Sequence, residues 1–171
     1  MELVKQEDLP KKEDIVDVPL DDPMKVFKVC QELEQVCERE NGIGISAVQV
    51  GIPWKLFIVK SDGSCPFIPK GKYGYFANLQ YVPVGDEQVV SLEGCLSIRS
   101  SDGQLRFFQV NRYKTVQLNG HRLHFDNNLE YHNIVINIDA AEEGIVFQHE
   151  ADHSSAVLIS DIGKEVFVWK Q

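Results

Sequence analysis

Two histidines four residues apart, with a glutamate directly after the first, stand near the C-terminal end of the chain, in the run Gln148-His149-Glu150-Ala151-Asp152-His153. On a helix, side chains at positions i and i+4 share one face and lie about 6 Å apart along the axis. Both imidazoles can therefore reach one metal ion of the zinc type, and Glu150 can accept and donate the protons of a water molecule at that ion. The same pattern also occurs on exposed helices that merely carry polar residues, so other parts of the chain must supply the remaining ligand and a substrate site.

A third ligand has to come from elsewhere, because a catalytic site of this kind uses three protein ligands and keeps one position for solvent. The only acids downstream of His153 are Asp161 and Glu165, and Asp161 is the one that could loop back. Cys95 is the better candidate, since it follows a predicted strand and a glycine that leaves its sulfur accessible. The pattern predicts a Cys-His-His site, with Asp161 as the alternative third ligand.

A glycine-rich segment at residues 42–51 offers a way to hold a peptide. Its glycines let an extended backbone come close to a ligand, and free N–H and C=O groups there can pair with a peptide as an added strand. Gln49 supplies a neutral amide donor for an oxyanion. A glycine-rich turn leading into a buried strand is the alternative interpretation.

These three segments resemble, in the same order, the three signature motifs of peptide deformylases, which read Gly-apolar-Gly-apolar-Ala-Ala-Pro-Gln, Glu-Gly-Cys-Leu-Ser and His-Glu-apolar-Asp-His. Residues 93–97 match the second motif without change, and residues 149–153 match the third with Ala151 in place of a larger apolar residue. The first motif differs at Ser46 and Val48, where Ala and Pro are usual. The similarity covers roughly residues 23–162.

The resemblance implies an enzyme of protein biosynthesis, a metal-dependent hydrolase that removes the N-formyl group from formylmethionine of nascent polypeptides and releases formate. The implied metal is Fe²⁺, with Zn²⁺, Ni²⁺ or Co²⁺ as substitutes, and the implied ligands are Cys95, His149 and His153. Glu150 would take the proton of the attacking water and deliver it to the departing amine. The Gln49 side chain and the Leu96 backbone N–H would hold the oxyanion.

The resemblance also implies which residues surround the substrate: Ile43, Gly44, Ile45, Glu93, Gly94, Ile145 and Val146. Glu93 is expected to pair with Arg112, which supports the loop of Cys95. Two alternatives stay open at this point. The first is a metallopeptidase of the His-Glu-x-x-His type, which cleaves unformylated peptides. The second is a catalytically silent homologue that keeps only the peptide groove.

The predicted fold is a single peptide deformylase-like domain over residues 1–171, of the α+β class, with antiparallel β-sheets wrapped around the central helix that carries the two histidines. Residues 1–20 are expected to form an extended arm, and one N-terminal helix is expected to begin at Asp22-Pro23 and to end at Asn41-Gly42. Asp139 is expected to cap the central helix. Strands are predicted over 55–59, 73–77, 88–92, 105–108, 115–118, 121–125, 131–138, 156–159 and 165–169, with Asn119-Gly120 as a hairpin turn.

The net charge and the composition limit which classes of binding partner and which cellular compartments are expected. A net charge of −9 argues against a partner that is bound mainly through phosphates, so no nucleic acid is expected. No run of residues suits a membrane or a signal peptide. Cys30 and Cys37 lie roughly 10 Å apart along a predicted helix, too far for a disulfide, which indicates a reducing compartment. We expect a monomer in the cytoplasm of a bacterium or a phage-infected host, or in an organelle.

Two features depart from compact bacterial members of the family. Cys95 and His149 are 54 positions apart (149 − 95), which predicts an insertion around residues 126–128. The tail after His153 has neither a C-terminal helix nor a basic stretch, which argues against docking on the ribosome and resembles short organelle-like or bacteriophage-encoded forms.

Overall fold

The protein, described by a computed structural model over residues 1–126 and 129–167, is built from three α-helices and two antiparallel sheets. The helices are α1 Pro23–Arg39, α2 Gly144–His153 and α3 Ile159–Ile162. The strands are β1 Gly44–Ser46, β2 Leu56–Lys60, β3 Tyr73–Pro83, β4 Gln88–Arg99, β5 Leu105–Tyr113, β6 Thr115–His124, β7 Glu130–Asp139 and β8 Lys164–Val166. One sheet has the order β1-β2-β3-β6-β7 and the other has the order β4-β5-β8. The predicted α+β architecture around the histidine-bearing helix is confirmed.

The five-stranded sheet is covered by a helix on each face. In β2, Leu56 and Ile58 pack with α1, whereas Phe57 and Val59 pack with Phe147 of α2. Successive residues of a strand point to opposite faces, so a strand between two helices has to be apolar throughout. This is why residues 56–59 form an uninterrupted apolar run.

Helix α1 begins and ends where its sequence predicts. The Asp22 side chain accepts a hydrogen bond of 3.2 Å from the backbone N–H of Lys25, and Pro23 occupies the first turn, where no N–H is required. At the other end, Asn41 adopts a positive φ of 54° and ends the helix. The apolar stripe is buried against the sheet, with Val26, Cys30, Leu33, Val36 and Cys37 all in the core. The four cysteines of the chain are buried and free.

Helix α2 begins later than predicted. Asp139 and Glu142 close one short 3-10 turn at residues 140–142, in which the Asp139 backbone N–H donates 3.1 Å to the Glu142 carboxylate. Glu143 then takes a left-handed conformation with φ 71°, and the α-helix begins at Gly144. A Cβ at Gly144 would lie 2.5 Å from the carbonyl oxygen of Asp139, so the chain can fold back onto β7 only with glycine here.

The predicted hairpin at Asn119-Gly120 is wrong, because β6 passes through both residues without a turn. They lie opposite a β-bulge in β3, where the pairing with β6 shifts between Ala77 and Gln80 and Asn78 has a φ of 54°. A Cβ at Gly120 would lie 2.5 Å from the Cα of Leu79. Glycine is required here by the close approach of the bulged strand rather than by a turn.

We therefore expect Gly120→Ala to lower the free energy of unfolding by about 2 kcal/mol or more, because the added methyl group meets backbone atoms that cannot rotate away. Urea unfolding followed by circular dichroism measures the change. Asn119→Ala, at the exposed neighbouring position, is the control and should change the stability by less than about 0.5 kcal/mol. Equal effects of the two substitutions would contradict the steric explanation.

The arm and the last segments also differ in detail from their predictions. Residues 1–20 do lie against the body: the backbone N–H of Val4 donates 3.0 Å to the carbonyl of Gln49, and Val16 pairs with Trp54. The strand predicted over 156–159 is wrong, since residues 154–156 turn and α3 begins at Ile159. Strand β8 ends at Val166, and Trp169 lies outside the described residues, as do positions 127 and 128 of the predicted insertion. Within the described ranges, none of the helices has the length and apolar character of a membrane span.

Candidate metal centre and substrate cleft

One thiol and two imidazoles from distant parts of the chain meet in the interior. The ligand atoms of Cys95, His149 and His153 all lie within 4.8 Å of one another, and the Cys95 sulfur is 3.4 Å from Nε2 of His153. Cys95 and His153 are buried and His149 is nearly so. The alternative ligand Asp161 is not in this group; its carboxylate accepts the backbone N–H of Leu158 and closes the first turn of α3. The predicted convergence of Cys95 with the two histidines is present.

Local backbone geometry presents Cys95 to the helix. In the register of β4 with β5, Gly94 pairs with Phe107 and Arg99 pairs with Leu105, so residues 95–98 lie opposite a single residue of β5. Such a bulge bends its strand and redirects the side chains that it carries. Here it turns Cys95 away from the ladder and towards the face of α2 where the two histidines lie one turn apart.

A buried ion-pair network orients His149. Arg112, only 2% exposed, donates two hydrogen bonds of 2.8 Å to the two oxygens of Glu93, as predicted, and a third of 2.5 Å to Asp152. Nδ1 of His149 lies 2.8 Å from the same Glu93 carboxylate. A charged carboxylate can only accept a hydrogen bond, so Nδ1 of His149 carries the proton and donates it to Glu93, and the lone pair of Nε2 is left on the side of the cysteine.

The Glu93 carboxylate is held in its charged form. Burial acts to raise the pKa of Glu93, but the hydrogen bonds from Arg112 and His149 outweigh burial and lower the pKa to about 2. Its charge is therefore present at neutral pH, where the carboxylate can accept the hydrogen bond from Nδ1 of His149.

Glu150 has the opposite environment. Its side chain is buried, and its Oε2 has no hydrogen-bond partner in the described part of the protein. Burial is the main cause that raises the pKa of Glu150 to about 7, with the charges of Glu93 and Asp152 adding to it and those of His149 and Arg112 opposing. A carboxyl group with a pKa near neutrality can both accept and return a proton.

Gly44 makes room for this carboxyl group. A Cβ at Gly44 would lie 2.7 Å from Oε1 of Glu150, well inside contact distance. The glycine of the first motif is thus explained by the glutamate of the third, about a hundred residues later in the chain.

The Gln49 amide points its NH₂ group at the metal-ligand cluster. The backbone N–H of Ser46 donates 2.9 Å to the side-chain oxygen of Gln49 and so determines which end of the amide faces inwards. The Gln49 Nε2 group donates to the Cys95 sulfur at 3.4 Å and to the Ser97 hydroxyl at 3.3 Å. Ser46, which departs from the usual alanine, satisfies its own hydroxyl by donating 3.3 Å to the carbonyl of Leu56.

A cleft of about 270 Å³ opens in front of these groups. It contains every candidate substrate-binding residue but one: Ile43, Gly44, Glu93, Gly94, Ile145 and Val146. The exception is Ile45, which is fully buried in the core under α1. Because Gly44 faces Glu150, the alternation of β1 turns the next residue to the opposite face of the sheet. The prediction that Ile45 lines the substrate pocket is therefore wrong.

Several residues of the site carry no motif and were missed. Leu92, Leu105 and Phe107 add apolar surface to the cleft, and only their positions on adjoining strands could have indicated it. Gln148, which is 1% exposed, binds the backbone of Tyr113 twice, donating 2.9 Å to its carbonyl and accepting 3.0 Å from its N–H. This pair of hydrogen bonds fastens α2 to β5, and with it the histidines to the sheet that carries Cys95.

Comparison with known proteins agrees with this geometry. The sequence profile of the polypeptide deformylase family matches residues 4–166. The chain belongs to that family. Peptide deformylase 1 of Corynebacterium efficiens is 31% identical over 71% of this chain and 62% of its own length, and the chloroplastic peptide deformylase 1A of Solanum lycopersicum is 26% identical over 94% and 58%. The chain thus spans about 60% of the length of these deformylases.

Solved deformylase structures share the fold. A point mutant of peptide deformylase 1B of Arabidopsis thaliana superposes with a TM-score of 0.72 at 25% identity, over 95% of this chain and 80% of the other. A class I type b deformylase from Acinetobacter baumannii, whose structure has Met-Ala-Ser bound, superposes with a TM-score of 0.69 at 22% identity, over 94% and 97%.

The residues present fit the metal that the deformylase family implies. A thiol and two imidazoles are donors for divalent iron, zinc, nickel or cobalt, and their mutual distances allow one ion to reach all three. The Glu93 carboxylate at His149 Nδ1 is the outer support that metal-binding histidines usually have.

Proposed function

We propose that this protein removes the N-formyl group from the N-terminal formylmethionine of peptides and releases formate, as a metal-dependent hydrolase. The observation that carries the proposal is the position of Glu150 and Gln49 beside the Cys95, His149 and His153 cluster, at the end of an apolar cleft. Membership in the deformylase family supports it, as does the peptide Met-Ala-Ser bound to the Acinetobacter relative.

Cys95, His149 and His153 would hold the metal, for which we propose Fe²⁺, with Zn²⁺, Ni²⁺ or Co²⁺ as substitutes. When bound, it supplies a Lewis acid that polarises the formyl carbonyl and activates water at neutral pH. The protein would contribute proton transfer through Glu150, which takes a proton from the attacking water and returns it to the amine nitrogen as the C–N bond breaks. The Gln49 amide and the Leu96 backbone N–H would donate to the oxyanion.

The substrate backbone would lie between two sheet edges. Strand β1 is an edge of the five-stranded sheet and β4 is an edge of the three-stranded sheet, and Gly44 and Gly94 of these strands line the cleft. An extended peptide can add to such edges through its own N–H and C=O groups. The apolar side chains of Ile43, Ile145 and Val146, which line the cleft, suit an unbranched thioether side chain such as methionine.

A formate assay with formyl-Met-Ala-Ser tests the proposal. Iron-loaded protein, prepared without oxygen, should release formate, and Cys95→Ala should lose both bound metal and formate release. Cys65→Ala, at a buried cysteine outside the cluster, is the matched control and should retain both. Loaded protein that releases no formate would refute the proposal. Cleavage of unformylated peptides that survives Cys95→Ala would instead identify a metallopeptidase, and peptide binding without turnover would identify a silent homologue.

Gly44→Ala should lower kcat by about 10- to 100-fold while the metal content stays the same, because the new methyl group displaces the Glu150 carboxylate from its position. Metal analysis and the formate assay on the same preparation measure the two quantities. A variant with unchanged kcat would show that the position of Glu150 does not limit the reaction.

The proposed reaction also bears on where the protein works. It requires formylated nascent chains, which occur in the bacterial cytoplasm, including that of a phage-infected cell, and in organelles such as the chloroplast of the Solanum relative. We propose that it acts there as a monomer.

A further inference from the structure

A tyrosine on the far side of α2 is joined to the metal ligands by a chain of hydrogen bonds. The hydroxyl of Tyr81 donates 2.8 Å to Oδ1 of Asp152, and the other oxygen of Asp152 accepts 2.5 Å from Arg112. Arg112 binds Glu93, and Glu93 binds Nδ1 of His149. Every member of this hydrogen-bonded chain is buried or half-buried.

The bulge in β3 is what brings Tyr81 to this side. Before the bulge, Tyr75 and Ala77 face the core under α1, whereas beyond it Leu79 and Tyr81 pack in the core under α2. Since one extra residue exchanges the two faces of a strand, a regular β3 would have placed other side chains against α2. Glycine at position 120 leaves the space that this bulge needs, so the position of Tyr81 depends on the backbones of both β3 and β6.

Asp152 needs this hydroxyl because it borders open space. The carboxylate is 13% exposed and lines a hollow of about 380 Å³ behind α2, together with Tyr81 and the small side chain of Ala151. Water in such a hollow competes for a carboxylate, and a turn of Asp152 towards it would release one N–H of Arg112. Arg112 would then have a single acidic partner, and the position of Glu93 on His149 would be less well defined.

We infer that Tyr81 is a positioning residue of the metal centre, which holds His149 in place through Asp152, Arg112 and Glu93. The inference rests on the metal-dependent function proposed above and names a residue outside the three family motifs. The role is indirect, since four hydrogen-bonded steps separate the hydroxyl from the imidazole.

Tyr81→Phe removes only the hydroxyl and tests the inference. Its affinity for Co²⁺, measured by competition with a chelator, should fall about 3- to 10-fold, below the roughly 10- to 100-fold that is usual for groups in direct contact with a ligand. The visible absorption of the Co²⁺ protein should also change, because it reports the geometry around the ion. Both measurements are independent of formate release, so they can fail or succeed apart from the proposed reaction.

Tyr75→Phe is the matched control. Tyr75 lies on the same strand, is half-buried, and donates 2.5 Å to a carboxylate, that of Glu34 on α1, away from the metal ligands. It should leave Co²⁺ affinity and absorption unchanged. Equal changes in both variants, or none in Tyr81→Phe, would overturn the inference.

Asp152→Asn provides a second route that does not depend on the tyrosine variant. It should lower Co²⁺ affinity at least as much as Tyr81→Phe, and adding Tyr81→Phe to it should have no further effect. Unchanged affinity in Asp152→Asn would overturn the inference, as would additive losses in the double variant.

Discussion

Replacing Glu150 by glutamine is expected to reduce kcat for formate release by about 10³-fold, while the bound metal and the cleft remain. The side chain is no part of the Cys95, His149 and His153 cluster, so its charge is not needed to retain the ion. What the variant loses is the group that moves protons, and such groups contribute roughly 10²- to 10⁴-fold. Glutamine has nearly the same shape, which separates proton transfer from packing. A variant that keeps a tenth or more of the activity would contradict the role of Glu150.

The same substitution should stabilise the protein after the metal has been removed with a chelator. Burial raises the pKa of Glu150 from 4.5 to about 7, so the folded state binds this proton more tightly than the unfolded state does. That contribution to stability is fully present below pH 4.5 and is lost as the pH rises through about 7. The glutamine side chain does not titrate in this pH range, so the variant has no such pH-dependent loss of stability.

The stability difference between Glu150→Gln and the parent should therefore grow between pH 5 and pH 8, to about 1–3 kcal/mol in favour of the variant. Urea unfolding of the metal-free proteins at a series of pH values measures it. Glu13→Gln, on the exposed arm, should show no such pH-dependent gain. A gain that is the same at pH 5 and pH 8 would exclude the titration of Glu150 as its cause.

Arg112→Met is expected to lower the free energy of unfolding by about 3–5 kcal/mol, because it leaves the buried carboxylates of Glu93 and Asp152 without their shared cation. Methionine keeps most of the volume, so the loss reports charge rather than a cavity. Metal affinity should fall as well, since Glu93 no longer has a fixed position on His149. Denaturant unfolding and metal titration measure the two losses.

Arg106→Met is the matched control for this substitution. Arg106 lies on the same strand and forms the same kind of bidentate salt bridge with a glutamate, Glu165, but at the surface. Solvent screens such pairs, so the expected loss is below about 1 kcal/mol, with no change in metal affinity. Similar losses in the two variants would mean that burial of the Arg112 pair adds nothing.

The sequence was most informative where chemistry fixes the spacing of residues. The i, i+4 histidines can share an ion only on a helix, so they predicted both an element and a function, and the structure has both the helix and the clustered ligands. The start of α1 was equally well specified by Asp22 and Pro23, because a cap and a proline act through local hydrogen bonds that need no tertiary context.

The predictions failed where the local sequence pattern is compatible with two conformations. In these places contacts with residues distant in sequence decide which conformation forms. Asn119-Gly120 suits a hairpin turn and equally suits a strand pressed against the bulge at Asn78. Residues 156–159 are a short apolar run that suits a strand or a turn leading into a helix. The burial of Ile45 follows from which face α1 covers, and no residue near Ile45 encodes that choice.

The supporting residues of the site could not be predicted for a related reason. Tyr81 and Asp152 are 71 positions apart, and Gln148 and Tyr113 are 35 apart. Asp152 and Gln148 lie in or beside the third motif, but Tyr81 and Tyr113 belong to no motif, and only the register of the sheets brings these two tyrosines to their partners.

The two sheets meet at the ligand cluster from opposite sides, since Cys95 belongs to β4 while the histidines sit on the helix that packs against β2 and β3. An ion bound by all three ligands would cross-link the three-stranded sheet to α2 and the five-stranded sheet, and the link would be lost when the ion leaves. The cleft that admits the peptide runs along that same seam. Metal supply would then govern the rigidity of the groove as well as the chemistry at its end, so that starvation for the metal loosens the grip on substrate and lowers the melting temperature together.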